Sequence, residues 1–252
     1  MSKRELASTR SYWKRSQLRA GRRSRYVEVP EMSFDIVRAD AIENGLVDNV
    51  VAVLGTGKEA DIYLGTWKDA YLVLKVYRLH RTPHKKKSTI GYALDHIGEI
   101  AAREFTILQK AYRAGIPVPT PARRVDNMFT MRYIGDDSKA PQLKDTRLNK
   151  PEDIAKEALD LVEKLLDAYI VHGDLSEYNL LLSNEHLFVI DFPQSVDFSS
   201  TVDRHLRIQY AKPLLLRDLF NLQRYFDRQG VNLDAQTEYA RMERKLDDLI
   251  GL

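Results

Sequence analysis

Three oxygen-bearing side chains, Asp174, Asn179 and Asp191, fall close together in a sequence whose surroundings are apolar. The first two lie in VHGDLSEYNLLL, residues 171–182, where runs of Val and Leu bracket a histidine, two acids and an asparagine. A chain that needed only to fold would gain little from that polar core. A carboxylate at Asp174 can take a proton from a hydroxyl, and an amide oxygen at Asn179 can hold a divalent cation. Twelve residues past Asn179, the strand-like HLFVID ends in Asp191, a natural ligand for the kind of Mg²⁺ that neutralises phosphate groups. Each acid taken singly also reads as a helix cap or a turn residue.

Phosphate chemistry needs a protein cation as well. Lys75 lies in YLVLKVY, where strand alternation puts it on the face of Tyr71, Val73 and Tyr77. An ammonium among so much apolar chain calls for a partner, and Glu104, 29 residues later, is the candidate. Such a pair would orient the amine toward nucleotide phosphates. On its own, Lys75 reads as a lysine snorkelling at a strand edge. Upstream, GTGKEADIYLG is not a Walker A motif: Lys58 is followed by Glu59, and strand-like DIYLG stands where a helix is required. Gly55 and Gly57 would still let backbone N–H groups approach a triphosphate, although this segment alone reads as a plain hairpin turn. Coincidence explains each residue singly far better than it explains the ordered set of glycine turn, Lys75, Glu104, Asp174, Asn179 and Asp191.

The elements that must carry these residues follow from periodicity. Residues 33–46 predict one helix, with Ser33 as N-cap and Gly45 at its end. NVVAVLGTGKEADIYLGTW and DAYLVLKVYRL predict adjacent strands. Residues 80–96 are polar and basic and predict a loop. A helix follows through IGEIAAREFTILQKAYRAG, with Ile100, Ile107, Leu108 and Ala111 at helical spacing and Gly115 as its stop. PVPTPARRVDNMFTMRYIG predicts strands around an Asp126-Asn127 turn. Pro151 opens a further helix whose Ile154, Leu161, Leu165 and Ala168 share a face. A strand-rich half followed by a helix-rich half implies an α+β architecture of two lobes with a cleft between them.

With 252 residues and 44% hydrophobic content, the chain can bury a full core. The absence of cysteine excludes a disulfide framework and a thiolate metal site, which suits a reducing cytoplasm. No apolar run is long enough for a membrane span and no signal-peptide core is present, so a cytoplasmic location is expected. The net charge of +3 is uneven: residues 1–30 hold nine Lys/Arg against Glu5 and Glu28, a net +7, leaving −4 elsewhere. That arm also carries Tyr12, Trp13 and Tyr26, a composition suited to nucleic-acid contact, or simply to a solvated tail.

The offset from Asp174 to Asn179 is that of the kinase catalytic loop H-R-D-x-x-x-x-N, in which Asp accepts a hydroxyl proton and Asn binds metal. GTGKEADIY, HGDLSEYN, IDFPQSVD and LRDLFNLQRYF together resemble the RIO family of atypical serine/threonine protein kinases over roughly residues 50–228. IDFPQ and the basic loop HRTPHKKKST resemble its Rio2 branch, and KAPQL resembles Rio1. The stretch ahead of the glycine turn is short for the winged-helix domain of Rio2, which leaves the basic arm as the substitute RNA contact. The resemblance implies a bilobal kinase-like fold: a basic arm over 1–32 and a kinase domain over 33–252, its β-rich N-lobe ending near 135 and its reduced helical C-lobe following. It implies ATP with Mg²⁺ or Mn²⁺, serine/threonine phosphorylation or ATP hydrolysis, autophosphorylation with Ser88 and Thr89 as candidates, and a role in maturing the small ribosomal subunit, with the precursor particle or its rRNA as partner. It assigns Gly55, Thr56, Gly57, Lys58 and Glu59 to the phosphates, Met131 to the gatekeeper position, and Arg132, Tyr133 and Ile134 to an adenine-reading hinge. Lys75 would hold phosphate oxygens, Asp174 would be the base, Asn179 and Asp191 the metal ligands. Glu104 and Glu177 join the nucleotide-binding set, and His172 braces the loop.

No A-P-E motif follows Asp191, so the platform that seats peptides in ordinary protein kinases has little room. Two other readings compete. A small-molecule phosphotransferase of the aminoglycoside or choline kinase type shares H-G-D-x-x-x-x-N, but SEY within the loop, GTGKEA and the lack of a long C-terminal insertion weigh against it. An RNA-binding assembly factor that merely binds nucleotide would keep its function without Asp174.

Overall fold

The computed structural model describes residues 33–57, 59–78, 90–136 and 138–249; the basic arm, Lys58, Ser88 and Thr89 lie outside the described residues. The chain divides into two compact units, Met1–Arg103 with Ala122–Tyr133, and Glu104–Pro121 with Ile134–Leu252.

The first unit is built on a five-stranded sheet. Helix α1 (Phe34–Glu43) starts where Ser33 Oγ accepts the Ile36 N–H at 3.4 Å, and it ends just before Gly45, which takes φ +63°. Strands β1 (Asn49–Thr56), β2 (Ala60–Trp67), β3 (Ala70–Tyr77), β4 (Pro121–Val125) and β5 (Met128–Arg132) form a sheet of order β1-β2-β3-β5-β4. Lys68 and Asp69 both take positive φ in the two-residue turn from β2 to β3, the geometry that matches strand twist, and Asp48 Oδ2 accepts the Lys68 N–H at 2.7 Å. Asp126 and Asn127 make the expected turn between β4 and β5, with Asp126 at φ +48°. Val37 and Ala41 of α1 close over Tyr63, Leu74, Val76 and Met128 to form this unit's core. Each large apolar side chain among them contributes about 1.5–3 kcal/mol by leaving water.

Helix α2 (Ile90–Arg113) begins seven residues before the segment that periodicity marks as helical. Polar and basic composition predicts a loop over residues 80–96, and the structure corrects this for residues 90–96. A glycine costs a helix only about 1 kcal/mol, and adding residues to an existing helix avoids the nucleation penalty.

In the second unit, α3 (Pro151–Asp167) places Pro151 at its first turn and buries Ile154, Leu161 and Leu165. Short strands β6 (Ile170–Val171) and β9 (Val196–Asp197) pair, as do β7 (Leu180–Ser183) and β8 (His186–Val189). The β7–β8 turn again has two positive-φ residues, Asn184 and Glu185. Helix α4 (Arg204–Arg228) runs through Pro213 without breaking. The missing N–H costs about 3 kcal/mol, which burial of Ile208, Ala211, Leu215, Leu219, Leu222 and Phe226 offsets. Helix α5 (Ala235–Asp248) starts at Asp234, whose carboxylate accepts the N–H groups of Gln236 and Thr237. No helix among the described residues is long and apolar enough to cross a membrane.

Candidate active site

The loop between β6 and β7 holds Asp174 and Asn179. Asn179 is buried, and its Nδ2 donates to the Asp174 carbonyl at 2.8 Å and lies 3.4 Å from the Asp174 carboxylate. The five-residue offset therefore closes a ring that presents the two side chains together. Committing Nδ2 leaves Oδ1 as the ligating atom of Asn179. The Asn179 carbonyl accepts the Ile190 N–H at 3.0 Å, so the loop is also tied to the residue preceding Asp191.

His172 sits beneath this loop, 2% exposed. Its Nε2 is 3.1 Å from the Ile190 carbonyl and its Nδ1 is 3.3 Å from the Asp174 N–H. A carbonyl only accepts and an amide N–H only donates, so the ring is the neutral Nε2–H tautomer with both nitrogens engaged. His172 braces Asp174 and has no nitrogen left to shuttle protons. Its ring also packs against Phe192, with 4.9 Å between centroids.

Helix α4 grips the same loop. Asp218, 2% exposed, accepts the Gly173 N–H at 2.7 Å and the Leu175 N–H at 2.8 Å, one on each side of Asp174. Asn221 donates to the Leu175 carbonyl at 3.0 Å, and Arg217 donates to the Gly173 carbonyl and to Gln194 Oε1. Burial pushes the Asp218 carboxyl up to about 7 against the two backbone N–H groups that favour its charged form. Gly173 takes φ +79°, and a Cβ there would stand 2.7 Å from the Gln194 carbonyl, so no other residue fits this position. In the sequence LRDLFNLQRYF carries part of the family resemblance, but Asp218 is not singled out. Its signal is an acid among leucines at positions the helical period buries.

Asp191 lies two residues past β8, exposed, with φ +70°. Asp is one of the few non-glycine residues that take this left-handed conformation readily. The Phe192 N–H that follows is bonded to Glu104 Oε1 at 3.0 Å, and Glu104 is buried. The acid of α2 thus fixes the backbone next to Asp191. Glu177 is ion-paired to Arg228 at 2.6 Å, which directs its carboxylate to α4.

In the first unit Lys75 is 5% exposed on β3, the central strand of the sheet, so it does not snorkel at an edge. Its Nζ lies 5.2 Å from the Tyr77 ring and 6.0 Å from the Phe129 ring. The glycine turn is pinned from behind. Gly57 N–H donates to the Ala60 carbonyl at 2.9 Å, the Glu59 carbonyl accepts the Arg78 N–H at 2.9 Å, and the Arg78 guanidinium bridges the Gly57 carbonyl and Asp61. Gly57 N–H is thereby engaged within the turn, and a Cβ on Gly57 would meet the Ala60 carbonyl at 2.9 Å. A Cβ on Gly55 would meet nothing, which leaves room above Gly55 and Thr56. Met131 pairs with Val73 and Arg132 with Leu72, while the Tyr133 ring packs 5.9 Å from Tyr71. Ile134 falls in the second unit, its carbonyl accepting the Ala140 N–H at 2.9 Å.

Among the described residues no group of three or more His, Cys, Asp or Glu side chains could hold a metal. One carboxylate, Asp191, and one amide oxygen, Asn179 Oδ1, are donors of the kind that would suit Mg²⁺, which takes one or two protein carboxylates and completes its shell with phosphate oxygens and water.

Comparison with known proteins supplies the family. The RIO domain model matches residues 61–240. The RIO-type serine/threonine-protein kinase Rio1 of Haloferax volcanii is 31% identical over 212 residues, covering 79% of this chain and 70% of that protein. The serine/threonine-protein kinase rio2 of Dictyostelium discoideum is 31% identical over 172 residues, covering 63% of this chain and 32% of its own length. A crystal structure of the Rio2 kinase from Chaetomium thermophilum, solved as an ADP/Mg²⁺-phosphoaspartate complex, shares the fold with a TM-score of 0.62 at 21% identity, covering 92% of this chain and 75% of that one. With a family match across most of its length and a haloarchaeal relative at that identity, this chain belongs to the RIO family of atypical serine/threonine protein kinases.

Proposed function

We propose that the chain is an ATP-dependent phosphotransferase acting on serine or threonine hydroxyls, itself included, and that its nucleotide turnover times binding to and release from a precursor of the small ribosomal subunit. The observation that carries the catalytic part is the joining of Asp174, Asn179 and the Ile190–Asp191 backbone by hydrogen bonds in one braced loop. In this reading Asp174 accepts the proton of the attacking hydroxyl. Lys75 neutralises phosphate oxygens, and the open backbone at Gly55 and Thr56 admits the triphosphate. Asn179 Oδ1 and Asp191 would hold Mg²⁺ or Mn²⁺, which supplies charge neutralisation to the phosphates. The loop reads H-G-D, and Arg217 from α4 bonds the Gly173 carbonyl where ordinary kinases carry the arginine of H-R-D.

The ribosomal part draws on the family and on the +7 charge of residues 1–30, and the same reading puts the protein in the cytoplasm. The test is to incubate the full chain with γ-labelled ATP, with and without small ribosomal subunits, beside Asp191→Ala. Label in protein or released phosphate that depends on Asp191 supports the reading, with the ratio separating kinase from ATPase. Equal turnover by Asp191→Ala would sink it. Rapid transfer to aminoglycosides or amino alcohols would favour the small-molecule alternative.

A further inference from the structure

The outer face of α4 has an unusual composition. From just ahead of the helix, Val202, Leu206, Tyr210 and Pro213 recur at helical spacing, all exposed, Leu206 by 69% and Tyr210 by 65%. The inward face already carries the core residues of this helix, so this second apolar run is not core. Farther along, the same stripe continues as Arg217, Phe220, Arg224 and Arg228, again all exposed, three arginines against one neighbouring exposed acid, Asp227. A solvent-facing helical face ordinarily mixes polar groups and both signs of charge, and a contiguous apolar patch on a surface marks an interaction site.

Polarity and charge define what fits. Arg217 donates to a backbone carbonyl and the Gln194 amide, and Arg224 to the Asn221 amide, so both bond neutral oxygens and neither is ion-paired among the described residues. Of the three arginines only Arg228 meets a carboxylate, that of Glu177. The stripe is therefore apolar at one end and cationic at the other. From Leu206 to Arg224 it runs about 27 Å at the helical rise, the length of about eight extended residues. A nucleic acid would find phosphate partners at the arginine end and only apolar surface at the other, whereas a polypeptide can match both. Arg217 and Asn221 hold the carbonyls of Gly173 and Leu175, which flank Asp174, so the stripe passes beside the base.

We infer that the outer face of α4 docks a polypeptide segment of the phospho-acceptor protein, apolar toward Leu206 and acidic toward Arg224. Its role in feeding an acceptor to Asp174 rests on the kinase reading; the docking itself requires no nucleotide. A displayed library of random peptides of roughly a dozen residues, long enough for that span, is selected against the nucleotide-free full chain. Synthetic copies of the winners are then titrated by fluorescence anisotropy into wild type, Leu206→Glu and Arg224→Glu, whose folding is checked by circular dichroism. The expected winners combine Leu or Phe with Asp or Glu, and lose about tenfold or more in affinity in each variant. No enrichment, winners without acids, or winners that bind both variants unchanged would overturn the inference. So would poly(U) RNA binding lost in Arg224→Glu, or a dimer in sedimentation that Leu206→Glu splits, since either assigns the face to another occupant. Peptide binding that persists in a chain shown to transfer no phosphate refutes the kinase reading alone.

Discussion

Replacing Asp218 with asparagine keeps the size of the side chain and removes one of its two acceptors. Comparing Asp218→Asn with wild type isolates the bond between α4 and the base loop, because the amide oxygen can serve either the Gly173 or the Leu175 N–H but not both. The stranded buried N–H costs about 1–3 kcal/mol. A second effect has a pH signature. Burial raises the Asp218 carboxyl from 3.8 to about 7 in the folded chain. A group whose folded pKa is raised contributes stability that is fully present below its unfolded value and is lost as pH climbs through the folded one. Asparagine cannot titrate, so the stability gap between wild type and Asp218→Asn measures that loss. Between about pH 5 and pH 8 it should shrink by roughly 2–3 kcal/mol, at 1.36 kcal/mol per unit over the two units below 7. Urea unfolding followed by circular dichroism at both pH values measures the gap. A gap that stays constant or widens with pH would refute the claim that burial controls this carboxyl.

Other expectations follow from the same geometry. Gly173→Ala combines a positive φ with a Cβ at 2.7 Å from the Gln194 carbonyl, and should destabilise by about 2–4 kcal/mol in thermal unfolding. Burial pushes the Asp197 carboxyl up, but hydrogen bonds from Lys110, at 2.6 Å, and from Ser199 outweigh it and leave it lowered. That pair stabilises above the ordinary carboxylate range and is lost as pH falls below it, so Lys110→Met should flatten acid unfolding by about 1 kcal/mol, with the two chains converging at the lowest pH. Deleting residues 1–25 should weaken RNA binding and lower its salt slope while leaving ATP affinity intact, as filter binding across a salt series would record.

Local elements are plain in the sequence and long-range ones are hidden. Alternation in YLVLKVY and the apolar spacing after Pro151 specify a strand and a helix because both signals are local. Whether Lys75 stands at a sheet edge cannot be read, since strand order depends on pairing β3 with β5 across an intervening helix. Glu104 is legible as the candidate partner of Lys75, but its bond to the Phe192 N–H joins residues 88 apart and gives no local signal. Arg78 gives no signal at all: its grip on the glycine turn exists only once the β2–β3 hairpin aligns it with Asp61. The full extent of α4 is obscured by Pro213, whose local preference against helix interiors is overridden by the buried residues on either side.

In the proposed chemistry Asn179 and Asp191 would hold the metal through which the nucleotide phosphates bind. Calorimetric titration of ATP into the full chain, with Mg²⁺ and with EDTA, and then into Asn179→Ala and Asp191→Ala, tests it most directly. Binding that requires Mg²⁺ in wild type and loses that requirement together with about tenfold or more of its affinity in both variants is the predicted result. ATP binding indifferent to the metal, or equally metal-dependent in all three chains, would contradict it.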